Sequence, residues 1–128
     1  MLILLLLVAS NSIHADARFD YLLHCRGCHL PDGRSVPPQV PTLRRVLGEL
    51  AATPEGREYI MRVPGVVQTS MSNQQLTAVL NWVMTEFNSE TLPDDFEPYN
   101  ENEVAKARKK VLSDPIAYRA EILNFSDR

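Results

Sequence analysis

The stretch Cys25-Arg26-Gly27-Cys28-His29 decides how the rest of the chain is read. Its two cysteines stand three positions apart, and a histidine follows the second at once. At that spacing a single helical turn presents both sulfurs to the same side, and the next side chain lies beside whatever they hold. This is the attachment pattern for covalent c-type haem, each thiol adding to one vinyl group while a ring nitrogen of His29 binds the iron. The competing readings account for less. A thioredoxin-like redox pair belongs beside an alternating strand and helix pattern, which is not visible here. A tetrahedral zinc site needs two further ligands, and the chain has no other cysteine and only His14 and His24 besides. A Cys25–Cys28 disulfide makes the adjoining histidine a coincidence.

The 128 residues are one domain by length, and 45% apolar content is enough for a core. A formal net charge of −3 points to no nucleic-acid partner. Leu2 to Ala9 is an unbroken apolar run, followed by small and polar residues and then Ala15-Asp16-Ala17. That order matches a secretory signal with an A-x-A cleavage site, giving a cleaved segment over 1–17. The run falls far short of the ~20 residues that span a bilayer as a helix. It lacks the Lys or Arg that normally precedes such a run. Export would ordinarily pair two cysteines as a disulfide; haem attachment consumes both instead, and it takes place on the far side of a membrane. The expected location is the periplasm.

Helix signals follow one another along the chain, and no convincing period-2 alternation appears, so the expected fold class is all-α. Asp16 or Asp20 opens a first helix with Phe19, Leu22 and Leu23 on one stripe. Pro31-Asp32-Gly33 and the prolines Pro37, Pro38 and Pro41 enforce a loop. Thr42 is placed to cap a helix carrying Leu43, Val46, Leu47 and Leu50. Thr53-Pro54 starts another, which Val63-Pro64-Gly65 stops. The best-defined helix begins at Ser72, where Ser72 and Gln75 form a capping box and Met71 and Leu76 a hydrophobic staple. Leu76, Val79, Leu80, Val83 and Phe87 then mark one face, with Trp82 on its flank. Ser89 to Glu103 is acidic and proline-punctuated, an extended strap that Phe96 and Tyr99 are placed to pin. Two further helices are expected, Glu103 to Leu112 and Pro115 to Leu123.

This layout resembles the monohaem c-type cytochromes (cytochrome c family) from about Asp16 to Asn88. The matching pieces are Cys25-Arg26-Gly27-Cys28-His29, Leu30-Pro31-Asp32-Gly33, Pro41-Thr42-Leu43, and Ser72 to Val83 ending in Leu80-Asn81-Trp82-Val83. The resemblance implies a helical haem domain over 18–88 around one haem c, with iron bound by His29. Pro41 or Pro38 would pack near the proximal histidine, and Trp82 near the haem and first helix. It implies an electron carrier rather than an enzyme, exchanging single electrons with a partner dehydrogenase, oxidase or reductase. The segment 89–128 lies outside the match.

One departure from the family pattern bears on function. Electron-carrying members usually supply a methionine as second axial ligand from a loop shortly before the last helix. The corresponding residues here read Val63-Pro64-Gly65-Val66. Met71 and Met61 remain as candidates, their alternative roles being staple and flexible core filler. Met84 falls inside the last helix, and His24, next to Cys25, does not easily reach the opposite haem face. An open sixth position is the other alternative, and it would suit peroxide, NO or CO.

Arg44, Arg45, Arg57 and Arg62 lie between the haem motif and the last helix, where a guanidinium suits a haem propionate or simply a solvated face. Lys106, Arg108, Lys109 and Lys110 form a basic run open to docking, self-association with the strap, or solubility. The expected haem pocket comprises Leu22, Leu43, Leu47, Leu80 and Trp82. No Ser-His-Asp constellation and no phosphate-cradling glycine loop is present.

Overall fold

The computed structural model describes residues 12–35 and 40–126. Among the described residues the chain forms eight helices and no strand, so it is all-α: α1 (Ser12–His24), α2 (Arg26–His29), α3 (Val46–Leu50), α4 (Pro54–Arg62), α5 (Pro64–Val67), α6 (Asn73–Asn88), α7 (Glu101–Ala107) and α8 (Pro115–Ser126). The apolar run Leu2–Ala9 and the prolines Pro37 and Pro38 lie outside the described residues.

The frame is the packing of α1 against α6. Leu76, Val79, Leu80, Trp82, Val83 and Met84 bury one broad side of α6. Tyr21 on α1 is fully buried against it. Its ring centroid stands 5.1 Å from Trp82 and 5.5 Å from Phe87, while Trp82 and Phe87 are 5.2 Å apart at a steep angle. Tilted and edge-on rings at these distances attract beyond their area burial. The start of α6 follows local chemistry: Ser72 Oγ accepts from the Gln75 N–H at 3.1 Å, and Gln75 Oε1 accepts from the Ser72 N–H at 3.0 Å. Met71 and Leu76 are both buried beside this capping box, as a staple requires.

Elsewhere the helix limits differ from expectation, each for a definable reason. The helix expected from Leu43 begins only at Val46, because Leu43 N–H is taken by Gly33 O at 2.9 Å and Arg45 N–H by Phe87 O at 3.0 Å. Arg45 at the N-cap has φ 65° and gives no side-chain cap. Asn88 caps α3 from the far end of α6 instead: its Oδ1 accepts from both Leu47 and Gly48 N–H at 3.1 Å, and its Nδ2 donates to Val83 O. Val63 does end α4, in extended backbone, yet Pro64 at once opens the short helix α5. Likewise α7 starts at Glu101, before the expected Glu103, because Asn100 and Glu103 form a second capping box.

The strap between α6 and α7 is held by Arg57. Its guanidinium pairs with both Glu103 oxygens at 3.0 Å and donates to Glu97 O at 2.7 Å. It also lies over the rings of Phe96 and Tyr99, at 5.5 and 4.2 Å from their centroids. Tyr99 is buried and Phe96 half-buried, so both pin the strap as the sequence implies.

Two outcomes follow from these contacts. Asn88→Ala strands two buried backbone N–H groups and is expected to cost roughly 3 kcal/mol in equilibrium urea unfolding. Partial burial pushes the Glu103 pKa up, but Arg57's hydrogen bonds, the Asn100 N–H and the charges of Arg57 and Lys106 hold it below its ordinary 4.5. The unfolded chain therefore takes up the proton first as pH falls. Glu103 stabilises the fold above about 4.5 and loses that contribution below its folded pKa, so Glu103→Gln should flatten the acid limb of stability against pH.

Candidate functional site

A cavity of about 470 Å³ opens between the end of α1, the loop 40–43, α4–α5, α6 and the beginning of α8. The helical turn that starts at Cys25 brings Cys25, Cys28 and His29 into its lining together. Leu43, Leu47, Ile60, Val79, Leu80 and Val83 supply apolar wall. The volume and the apolar lining with a few polar groups are those of a small-molecule or cofactor site.

The haem motif is fixed by backbone hydrogen bonds and by one tyrosine. Cys25 N–H continues the α1 ladder to Tyr21 O at 2.8 Å, and His29 N–H returns to Cys25 O at 3.0 Å. Leu30 then turns the chain with φ 57° and ψ 161°, a conformation that L side chains rarely adopt. Tyr21 Oη donates to the Leu30 carbonyl at 2.7 Å and holds it there. Burial, with the charges of Cys25 and Asp32 against the Gly33 N–H, pushes the Tyr21 hydroxyl up to about 12, so it remains a donor. Next in the chain, Gly33 has φ 76°, and a Cβ there would meet the Phe87 ring at 2.7 Å. The turn after the motif is thus built directly onto the α1–α6 frame.

Both thiols are free, Cys25 half-buried and Cys28 exposed. Burial, then the neighbouring Cys28 and Asp20, push the Cys25 thiol up to about 11. His29 is half-buried, and its Nδ1 is enclosed without a well-formed hydrogen bond. Burial lowers the imidazole pKa, opposed by the carbonyl of Pro41. The neutral ring, the form that binds metals, is therefore favoured.

Of the expected pocket residues, Leu43, Leu47 and Leu80 line the cavity. Leu22 and Trp82 do not: Trp82 turns into the aromatic cluster with Tyr21 and Phe87, and Leu22 packs on the core beside it. Pro41 takes the place beside His29 that the resemblance gives to Pro41 or Pro38. Of the methionines, Met71 is buried and lines the cavity, whereas Met61 and Met84 are core residues away from its lining. His24 also lines the cavity, next to Cys25 in the chain.

None of the four arginines between the motif and α6 lines the cavity. Arg44 donates to Asp32 O, Arg45 pairs with Glu90, Arg57 with Glu103, and Arg62 with Glu58 and the Lys110 carbonyl. Arg119 on α8 is the one Lys or Arg among the described residues of the lining. It lies against Tyr59, whose hydroxyl burial raises and Arg119 lowers, with the net shift upward. The sequence does not single out Tyr21, Tyr59 or Arg119, because nothing local to any of them marks a cavity.

The residues present fit a haem. Two thiols and a neutral imidazole with an enclosed, unpartnered Nδ1 converge on an apolar space, and the lining includes one cation, Arg119, that could pair with a ligand carboxylate. No protein-family model and no solved structure matches the chain. Two curated proteins do, both named cytochrome c-552 and both from Thermus thermophilus, the second from a particular strain of that species. Each is 28% identical over 107 residues, covering 70% of this chain and 82% or 72% of the relative. This is distant homology to cytochrome c-552, a monohaem c-type cytochrome.

Proposed function

We propose that the chain is a periplasmic one-electron carrier with a redox enzyme as partner, in which Cys25 and Cys28 would hold a single haem c by thioether links and His29 and Met71 would bind its iron. The observation that carries this reading is the convergence of Cys25, Cys28, His29 and Met71 on one apolar cavity. Haem iron supplies the ferrous–ferric couple when bound.

The protein's own work is to hold, orient and dry. His29 Nδ1 is enclosed and the Pro41 carbonyl acts on the ring, raising its basicity as an outer partner should, so the imidazole would offer its other nitrogen to iron. Leu43, Leu47, Ile60 and Leu80 exclude water from the couple, which favours the less charged ferrous form. Arg119 is placed to neutralise a propionate at the α8 side, where a buried carboxylate without a cation is costly. The Cys25 thiol, held protonated at neutral pH, is unlike the low-pKa thiols of disulfide exchange, which speaks against a redox Cys-x-x-Cys pair. Export rests on the apolar run Leu2–Ala9 and the Ala15-Asp16-Ala17 site.

Two substitutions test the assignments. Met71→Leu conserves volume, so stability should change by less than about 1.5 kcal/mol. The reduction potential should fall, because the thioether raises it, and the ferrous protein should bind CO at once. A parent protein that itself binds CO at once, with a potential indifferent to Met71→Leu, would favour the open-site reading. Replacing either Cys25 or Cys28 by alanine leaves one vinyl group unreacted, and the pyridine-haem absorption band should move to longer wavelength. Unmoved bands in both variants would remove the thioether assignment.

A further inference from the structure

The segment beyond α6 is not an appendage. Arg108, the half-buried residue that closes α7, turns its guanidinium onto the connection between α5 and α6. Nε donates to Val67 O at 3.3 Å, Nη2 to Thr69 O at 2.6 Å, and Nη1 to Met71 O at 2.8 Å and to Asn73 Oδ1 at 3.0 Å. One planar fork thus touches the end of α5, the loop and the first residue of α6. Three of its partners are backbone carbonyls of a tight connection whose ends are fixed by Gln68 N–H on Pro64 O and by the Ser72–Gln75 box, while between them Met71 N–H reaches Thr69 Oγ1 only at 3.4 Å. On the other side of α5, Leu112 N–H donates to Arg62 O at 3.0 Å and Arg62 Nε to Lys110 O at 2.6 Å. The chain 108–112 therefore brackets the stretch that runs from Arg62 to Met71. Arg108 does not join Lys106, Lys109 and Lys110 on the surface of the basic run, where those three are exposed.

We propose that Arg108 is a positioning residue for the sixth side of the haem, its four hydrogen bonds keeping the loop in the one arrangement that presents Met71 to the cavity. The inference rests on the reading of Met71 as axial ligand. A neutral thioether is a weak ligand, and it competes with water and with anions whenever its loop opens. A loop whose carbonyls share one fixed set of donors opens less often than one that relies on solvent. Lysine cannot replace the fork, since a single ammonium presents its donors from one point.

The test uses the full-length holoprotein carrying Arg108→Gln or Arg108→Lys, with Met71→Leu alongside. Three quantities are read: near-ultraviolet circular dichroism for the Tyr21–Trp82–Phe87 cluster, the methionine-to-ferric-iron absorption band in the far red, and the affinity of the ferric protein for cyanide. The clamp predicts an intact aromatic signal, a weakened or absent band, and cyanide binding tighter by on the order of tenfold, in Arg108→Gln, with only partial recovery in Arg108→Lys. An unchanged band and unchanged cyanide affinity in Arg108→Gln overturn it. If Arg108→Gln does not fold, the same two readings on Arg108→Lys decide, and parent-like values overturn the proposal. Met71→Leu separates the two ways of failing. A band that survives Met71→Leu retires Met71 itself, whereas a band lost there but kept in the Arg108 variants retires the clamp alone.

Discussion

The packing of α1 on α6 through Tyr21, Trp82 and Phe87 is the contact on which the rest of the structure depends. It buries the one tyrosine whose hydroxyl also anchors the turn after the haem motif, so the same side chain that seals the core sets where Cys28 and His29 can stand. Gly33 is fitted beneath Phe87 for the same reason: the turn runs so close to that ring that no Cβ is accommodated. On the proposed reading, two covalent links and one metal bond would come from that single helical turn, which leaves little room for drift. Tying it to the most buried part of the fold meets that demand.

A second layer of long-range polar contacts closes the other sides. Asn88 reaches from the end of α6 to start α3, which carries Leu47 of the cavity wall. Arg57 binds the acidic strap to α4, and α8 then packs on α4, with Tyr118 stacked on Tyr59 at 6.2 Å. That docking brings Ile116 and Arg119 to the cavity. The described part of the segment, 89–126, thus contributes cavity lining, a cationic side chain in it and, through Arg108, a brace on the α5–α6 connection. Residues before and after Asn88 line the same cavity.

What the chain reveals without its structure is what is local in sequence. The Cys25–His29 motif is complete in five residues. The capping box and staple at Ser72 need only the six positions from Met71 to Leu76, and Thr53-Pro54 starts α4 as neighbouring residues should, with Thr53 Oγ1 accepting from Gly56 N–H at 3.1 Å. The start of α3 is not legible in that way because its cap, Asn88, is more than forty positions away. Arg108 and Arg119 escape sequence reading for the same reason, while Arg44, Arg45, Arg57 and Arg62, nearer to the motif in sequence, spend their charge on partners elsewhere. Helical spacing places Trp82 on the flank of the α6 face and the family resemblance points it to the pocket, but neither fixes which neighbour it meets. The choice between Met61 and Met71 turns on tertiary packing: both are buried, and only Met71 borders the cavity.

The central claim is that this cavity holds a porphyrin bound covalently to the motif. Its most direct test is intact-mass spectrometry of the exported, purified chain after unfolding and extraction with acidified acetone. The account predicts a polypeptide heavier by one haem, with the colour remaining in the protein pellet. A bare polypeptide mass, with the pigment in the acetone or absent altogether, would contradict it.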